Sequence, residues 1–187
     1  IGQLAGGMMT TVEIFLLTLV FSLPLGMLVA FGYMSKNPIL HWILKIYISI
    51  MRGTPLMLQL IVVYFGPYYI FGIQISSAYR GTAVIIAFAL NYAAYFAEIY
   101  RSGIESMPAG QYEAARVLGY SGSQTFFKII LPQVIKRILP SVTNEVITLV
   151  KDTSLAFSIA YAEMFTQAKA LAASAHNVLP LIAAGIF

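Results

Sequence analysis

The chain has 187 residues, of which 59% are apolar and only 10% charged, whereas an ordinary soluble domain carries about a quarter of its residues as charges. With a mean hydropathy of +0.83, this excludes a surface that lies wholly in water and places much of it in lipid, where only helices or a closed barrel satisfy the backbone. The net charge of +4, from 11 basic and 7 acidic residues, is scattered between apolar segments rather than gathered into a patch, which argues against nucleic acid as a partner. There are no cysteines, so disulfides, thiol nucleophiles and cysteine zinc sites are excluded. His41 and His176 stand far apart without companion ligands, so no metal site is expected and both read as polar interfacial residues. The apolar runs have helical length, and no strand-like alternation recurs. The expected fold class is all-α: a polytopic membrane helical bundle of about five transmembrane helices, forming a single domain over 1–187.

The chain opens at Ile1 without an initiator Met and stops at Phe187 inside an apolar stretch, so both ends are expected to be trimmed and no targeting signal can be read. The first expected span is Thr11 to Met34, which is charged only at Glu13 and long enough for a hydrocarbon core about 30 Å thick. Pro24 and Gly26 predict a kink near Leu23. Lys36 to Arg52, with Trp42 and Tyr47, reads as an interfacial helix. A second span, Thr54 to Gly72, opens with Pro55 in a first helical turn and ends in the aromatic group Tyr64, Tyr68, Tyr69 and Phe71, at headgroup level. The third span, Gly81 to Tyr100, differs in carrying Asn91, Tyr92, Tyr95 and Glu98.

Between Arg101 and Lys128 the chain turns polar, as a solvent-side loop with a short helix would. A fourth apolar region follows Pro132, but Pro140 and the run Ser141, Thr143, Asn144 and Glu145 are expected to break it, and Lys151 to Ser154 to interrupt it again. Leu155 to Met164 is short, and a last span is expected to begin near Val178. Broken helices of this kind line protein-enclosed pathways rather than facing lipid. Basic residues of the loops set orientation. One side would hold Lys36, Lys45, Arg52, Arg101, Arg116, Lys128, Lys136 and Arg137, and the other Arg80, Lys151 and Lys169. Eight against three predicts a cytoplasmic polar loop and an external N-terminus.

Within that loop stand Glu113-Ala114-Ala115, then Gly119, then Ile129-Ile130-Leu131-Pro132. This resembles the EAA loop of binding-protein-dependent ATP-binding-cassette (ABC) importers, with triplet, glycine and I-x-L-P ending at the family's spacing. Phe96 to Ile104, Gly110-Gln111-Tyr112, Arg52-Gly53-Thr54-Pro55-Leu56 and Lys151-Asp152-Thr153-Ser154-Leu155 resemble the polar amino acid branch of that family. The resemblance covers nearly the whole chain. It implies a type I importer-like permease in the plasma (inner) membrane of a prokaryote, working beside a second permease subunit, identical or related, in the lipid bilayer. It also implies a cytoplasmic ABC ATPase subunit that holds ATP and Mg, an external substrate-binding protein, and an amino acid substrate. The EAA loop would be 101–132, with Gln111, Glu113, Ala114, Ala115, Arg116, Gly119, Leu131 and Pro132 coupling the permease to the ATPase. Transport would proceed by alternating access, with ATP binding closing the ATPase pair.

The residues themselves agree with that role. A helix over Gln111 to Leu118 would present Glu113 and Arg116 to solvent and offer Ala114 and Ala115 as a small surface for close packing against another protein. Gly119 would end it, and Pro132 would start the next helix. No Gly-rich phosphate loop is present, so this chain is not itself the ATPase, and no cofactor or catalytic residue is expected in it.

Ionisable and amide groups at membrane depth are functional candidates by default. Asn91, Tyr95 and Glu98 share one helical face. Asn144, Glu145, Thr153, Ser154 and Glu163 lie in or near the interruptions. The carboxylates would suit a cationic side chain, which raises arginine, histidine or lysine as substrates. Other readings stand beside these: Glu98 paired with Arg101 or capping its span, Asn91 as interhelical glue, Lys151 with Asp152 as a local ion pair, and Glu163 as structural. Among other classes, an ion-gradient-driven secondary amino acid transporter would also use broken helices, but it leaves the polar loop without a purpose. Nothing resembles a nucleophile with its base, so an enzyme is not expected.

Overall fold

A computed structural model describes residues 2–186, and the expectation about the chain's two ends rests on Ile1 and Phe187, which lie outside them. The described residues form helices and no strands. In chain order these are α1 (Gly2–Tyr33), α2 (Pro38–Gly53), α3 (Leu56–Phe71), α4 (Tyr79–Glu105), α5 (Ala109–Val117), α6 (Gly122–Thr125), α7 (Leu131–Asp152), α8 (Met164–Ala175) and α9 (Leu179–Ile186). A π-helical segment, Phe126–Ile130, joins α6 to α7, and a 3₁₀ segment, Thr153–Ile159, follows α7.

The centre of the bundle is α4. Ala83, Val84, Ala87, Phe88, Asn91, Tyr92, Ala93, Ala94, Phe96 and Ala97 are all buried, so apolar and small side chains surround it on nearly every face. Against it lies α1, through a stripe of Ile14, Thr18, Ser22, Gly26 and Ala30 at four-residue spacing. In membranes, where lipid is as apolar as leucine, such small residues let helix backbones approach and pack. A Cβ at Gly26 would sit 2.9 Å from Phe96 Cβ and 3.0 Å from the Ala93 carbonyl oxygen. The other side of α1 exposes Leu16, Val20, Phe21 and Leu28, as a lipid-facing surface must.

Pro24 lies inside α1 without ending it, because a single lost backbone donor is tolerated where neighbouring helices support the backbone. Among the described residues, α1 and α4 are long and apolar enough to cross a membrane; α2 and α3, meeting at 112°, add a third crossing if taken as one bent span. The interfacial segment and the start of the second span thus form one bent unit. Its corner is Gly53-Thr54-Pro55, where Pro55 precedes the first turn of α3 rather than lying in it.

The fourth segment differs from expectation. Pro140 lies inside an unbroken α7, while Pro132 stands in its first turn as expected; ahead of it the backbone is already right-handed helical from Gly122 through the π segment. Pro132 has no N–H to offer. The Leu131 N–H bonds instead to the Phe126 carbonyl, five residues back, which is the π-bulge arrangement. The helix begins at a capping box in which the Gln124 N–H donates to Ser121 Oγ at 3.3 Å and the Ser121 N–H to Gln124 Oε1 at 2.9 Å. The interruption at Lys151 to Ser154 is where α7 gives way to the 3₁₀ segment, which Ala160 terminates in a left-handed conformation, φ 55°. The last apolar stretch forms α9 from Leu179.

Candidate functional site

Two features stand out: a helix held away from the bundle on a short hairpin, and a polar cavity inside it. The helix is α5. Its C-terminus closes as a Schellman motif, with the Gly119 N–H bonded to the Arg116 carbonyl at 2.9 Å and the Tyr120 N–H to the Ala115 carbonyl at 3.0 Å. Gly119 takes φ +77°, a conformation glycine adopts at no steric cost. Gln111 fastens the helix to α7 by accepting from Gln133 Nε2 at 3.2 Å. At its base, Arg137 of α7 donates to the Ser106 carbonyl at 2.6 Å and to Ser106 Oγ at 2.9 Å, locking the end of α4 to α7.

Glu113, Ala114 and Arg116 are exposed. Ala115 is turned inward at 1% exposure, so the small surface expected at Ala114 and Ala115 is divided between outside and inside. The largest outward apolar groups are ones the sequence reading passed over, Val117 at 87% and Leu118 at 72% exposure. Leu131 is half-buried and Pro132 exposed on the adjoining helix.

The cavity, about 350 Å³, is lined by the α2–α3 corner (Thr54, Pro55, Leu56), by Asn91, Tyr92 and Tyr95 of α4, by Glu145, Thr148 and Asp152 of α7, and by Leu155. Of the expected substrate residues it gathers Asn91, Tyr95 and Glu145. Asn91 is the corner's anchor, donating to the Met51 carbonyl at 3.0 Å and to Gln59 Oε1 at 2.9 Å. Gln59 in turn donates to the carbonyls of Met51 and Thr54 and to Thr54 Oγ1. The amide thus works as interhelical glue while one side of it faces the cavity. Tyr92, the largest side chain buried in the core, donates to Asp152 Oδ2 at 2.7 Å. Asp152 therefore pairs with Tyr92 and not with Lys151.

Other expected residues lie elsewhere. Glu98 binds Arg101 through two contacts, at 2.5 and 3.2 Å, and Arg101 also pairs with Glu105 one turn on. Asn144 is exposed. Thr153, Ser154 and Glu163 line a different, mostly apolar cavity of about 640 Å³ between α1, α7, α8 and α9. Glu163 is 1% exposed and caps α8, accepting from the N–H groups of Phe165 at 2.6 Å and Thr166 at 2.8 Å and from Thr166 Oγ1 at 2.7 Å. A carboxylate so occupied stabilises the helix start. Replacing it in Glu163→Ala is expected to cost about 0.5–2 kcal/mol of stability, measurable as a lowered melting temperature of the detergent-purified protein.

Known proteins share this architecture. Residues 22–187 match the model of the family described as binding-protein-dependent transport system inner membrane component. The chain is 38% identical over 170 residues to the L-cystine transport system permease protein TcyB of Bacillus subtilis, covering 91% of this chain and 71% of that one. To the arginine transport system permease protein ArtQ of the same organism it is 37% identical over 181 residues, covering 96% and 81%. Among solved structures, an amino acid ABC transporter crystallised with histidines superposes with a TM-score of 0.88 at 32% identity, covering 99% of this chain and 85% of that one. The inward-facing methionine transporter MetNI shares the fold at a TM-score of 0.73 and 20% identity. The helices, their connections and the extent of the match agree: the chain belongs to the family of inner membrane components of binding-protein-dependent transport systems.

Proposed function

We propose that this chain is the membrane-spanning subunit of an ATP-driven importer of amino acids, with α5 as its docking helix and the polar cavity as the station where cargo rests during passage. One observation carries this reading: a nine-residue helix with exposed charges and exposed Val117 and Leu118, closed by its own Schellman turn and hung between α4 and α7. A free apolar knob on a rigid stem is suited to fit a partner's groove. Hydrogen bonds at both ends of the hairpin would carry a displacement of α5 into α4 and α7, whose side chains line the cavity.

In this reading the loop 101–132 faces the cytoplasm and the N-terminus faces outward, in keeping with the eight basic residues on one side and three on the other. The partner that engages α5 is an ABC ATPase subunit holding ATP and Mg. A second permease subunit completes the pathway, and an external binding protein delivers the cargo. The permease performs no covalent chemistry. Its work is to expose the cavity to one side and then the other, as the docking helices of two subunits draw together and apart.

Glu145 and Asp152 give the cavity an acidic lining, and together with the likeness to an arginine permease this favours a basic amino acid as cargo. Asp152→Asn is expected to lower uptake of arginine or lysine at least tenfold while changing uptake of a neutral amino acid less than threefold, since a lost charge-assisted hydrogen bond is worth about 1.5–3 kcal/mol. Proteoliposomes with ATP inside and the binding protein outside provide the measurement. The importer reading itself falls if this chain alone, with no ATPase, accumulates amino acid on a proton or sodium gradient.

A further inference from the structure

Beside the cavity stands an arginine whose guanidinium has one distant ion pair and no side-chain hydrogen bond among the described residues. Arg52 ends α2, directly before the Thr54-Pro55-Leu56 corner that forms one cavity wall. Its guanidinium rests 5.4 Å from the ring centroid of Tyr95, itself a lining residue. The nearest carboxylate is Glu98 at 4.0 Å, beyond hydrogen-bond reach, and Glu98 is already held by Arg101. Among the described residues, Arg52 makes no hydrogen bond, and its side chain is 42% exposed. A guanidinium held by stacking, with its fork of donors open, is prepared for a planar acceptor. On the α7 wall, Glu145 lines the same cavity and has no hydrogen-bond or ion-pair partner among the described residues. The third charged group, Asp152, is engaged by Tyr92.

We propose that Arg52 and Glu145 are the two poles of a receptor for the zwitterionic head of a free amino acid, with Arg52 taking the α-carboxylate and Glu145 the α-ammonium. This rests on the reading of the cavity as the cargo's station. It adds that the permease inspects the part common to all amino acids, so that the membrane passage rejects amines and acids lacking one pole even when they carry the right side chain. Asp152 and Tyr92 are left to meet the side chain. A cation there would take up the free oxygen of Asp152.

The test uses the detergent-purified complex with its ATPase subunits, in the absence of the binding protein, so that only the permease selects. Calorimetric titration is run with lysine, cadaverine (no carboxylate) and 6-aminohexanoate (no α-ammonium), and in parallel with arginine, agmatine and 5-guanidinopentanoate. The wild-type complex is expected to bind each amino acid at least about tenfold more tightly than either truncated analogue. Arg52→Gln is expected to bring the amino acid and its amine within threefold while still rejecting the acid. Glu145→Gln is expected to do the reverse, and Arg52→Lys to restore part of the discrimination, which shows that the loss is not misfolding. If neither amino acid binds the wild type, the cavity reading for basic cargo fails. If amino acids and analogues bind the wild type equally, or if Arg52→Gln keeps full discrimination against the amine, the zwitterion receptor is overturned while the cavity reading stands.

Discussion

Glu113→Lys combined with Gly119→Asp is expected to leave the protein inserted and folded but to lower ATP-dependent uptake by at least tenfold. Both positions are exposed, and a side chain grown from Gly119 would meet nothing within 4 Å, so neither change disturbs the core. What changes is α5, the proposed docking helix. A non-glycine residue at φ +77° costs about 1–2 kcal/mol for the left-handed conformation, and an added carboxylate at a helix C-terminus opposes the helix dipole by a further 0.3–1 kcal/mol or so. The Schellman closure that fixes Val117 and Leu118 is thereby weakened, and at Glu113 the surface charge is reversed. Co-purification with the ATPase and uptake into proteoliposomes should fall together while the melting temperature of the permease alone stays near that of the wild type. Unchanged uptake in the double variant would refute α5 as the coupling element.

The second large effect is expected from Gly26→Leu. Its Cβ would come within 2.9 Å of Phe96 Cβ and 3.0 Å of the Ala93 carbonyl oxygen, and neither neighbour is the movable end of a flexible side chain. The two helices must part or bend. Overpacking of this kind typically costs about 1–3 kcal/mol, and here it acts on the contact between the longest helix and the central one. A clear fall in melting temperature and in the yield of folded protein is expected. Gly66→Leu is the control, because its Cβ would meet only the tip of Ile70 at 3.8 Å. Equal losses in both variants would show that the α1–α4 seam is not the tight contact its geometry indicates.

What the sequence made legible was local or periodic. The short helix α5 follows from a polar stretch closed by a glycine, and Gly119 ends it as expected because a Schellman turn needs only neighbours in the chain. The shared face of Asn91 and Tyr95 follows from helical spacing, and both line the cavity. Pairing across the bundle was not legible in the same way. Tyr92 and Asp152 lie 60 residues apart, and nothing in the flanking sequence says that a phenol will displace Lys151 as the partner of that carboxylate. Glu163 read as a possible ligand because it is an acid in an apolar region, yet its three acceptor contacts lie within three residues. A carboxylate directly before an apolar helical run is an N-cap signal that could have been weighed.

Pro140 misled. It read as a break because it removes a backbone donor, but it lies inside a continuous α7. Arg52 read as a basic residue of a loop and as the start of the Arg52-Gly53-Thr54-Pro55-Leu56 match, but not as a cavity residue, because its stacking on Tyr95 depends on the corner between α2 and α3, a bend that composition does not foretell.

The π segment before Pro132 bears on how such chains tolerate change in length. A backbone loop closed five residues back, as between Leu131 and Phe126, houses one more residue than an α-turn. Deleting a single residue from 126–130 would let the segment close as ordinary α-helix, with no gap and no exposed apolar surface. Everything before it would keep its direction relative to α7, because the extra residue is absorbed within one turn. A deletion in the regular helix beyond Pro132 would instead turn α5 by about 100° around the axis. In this stretch the spare residue is therefore slack, and one residue can be lost there without changing where α5 points.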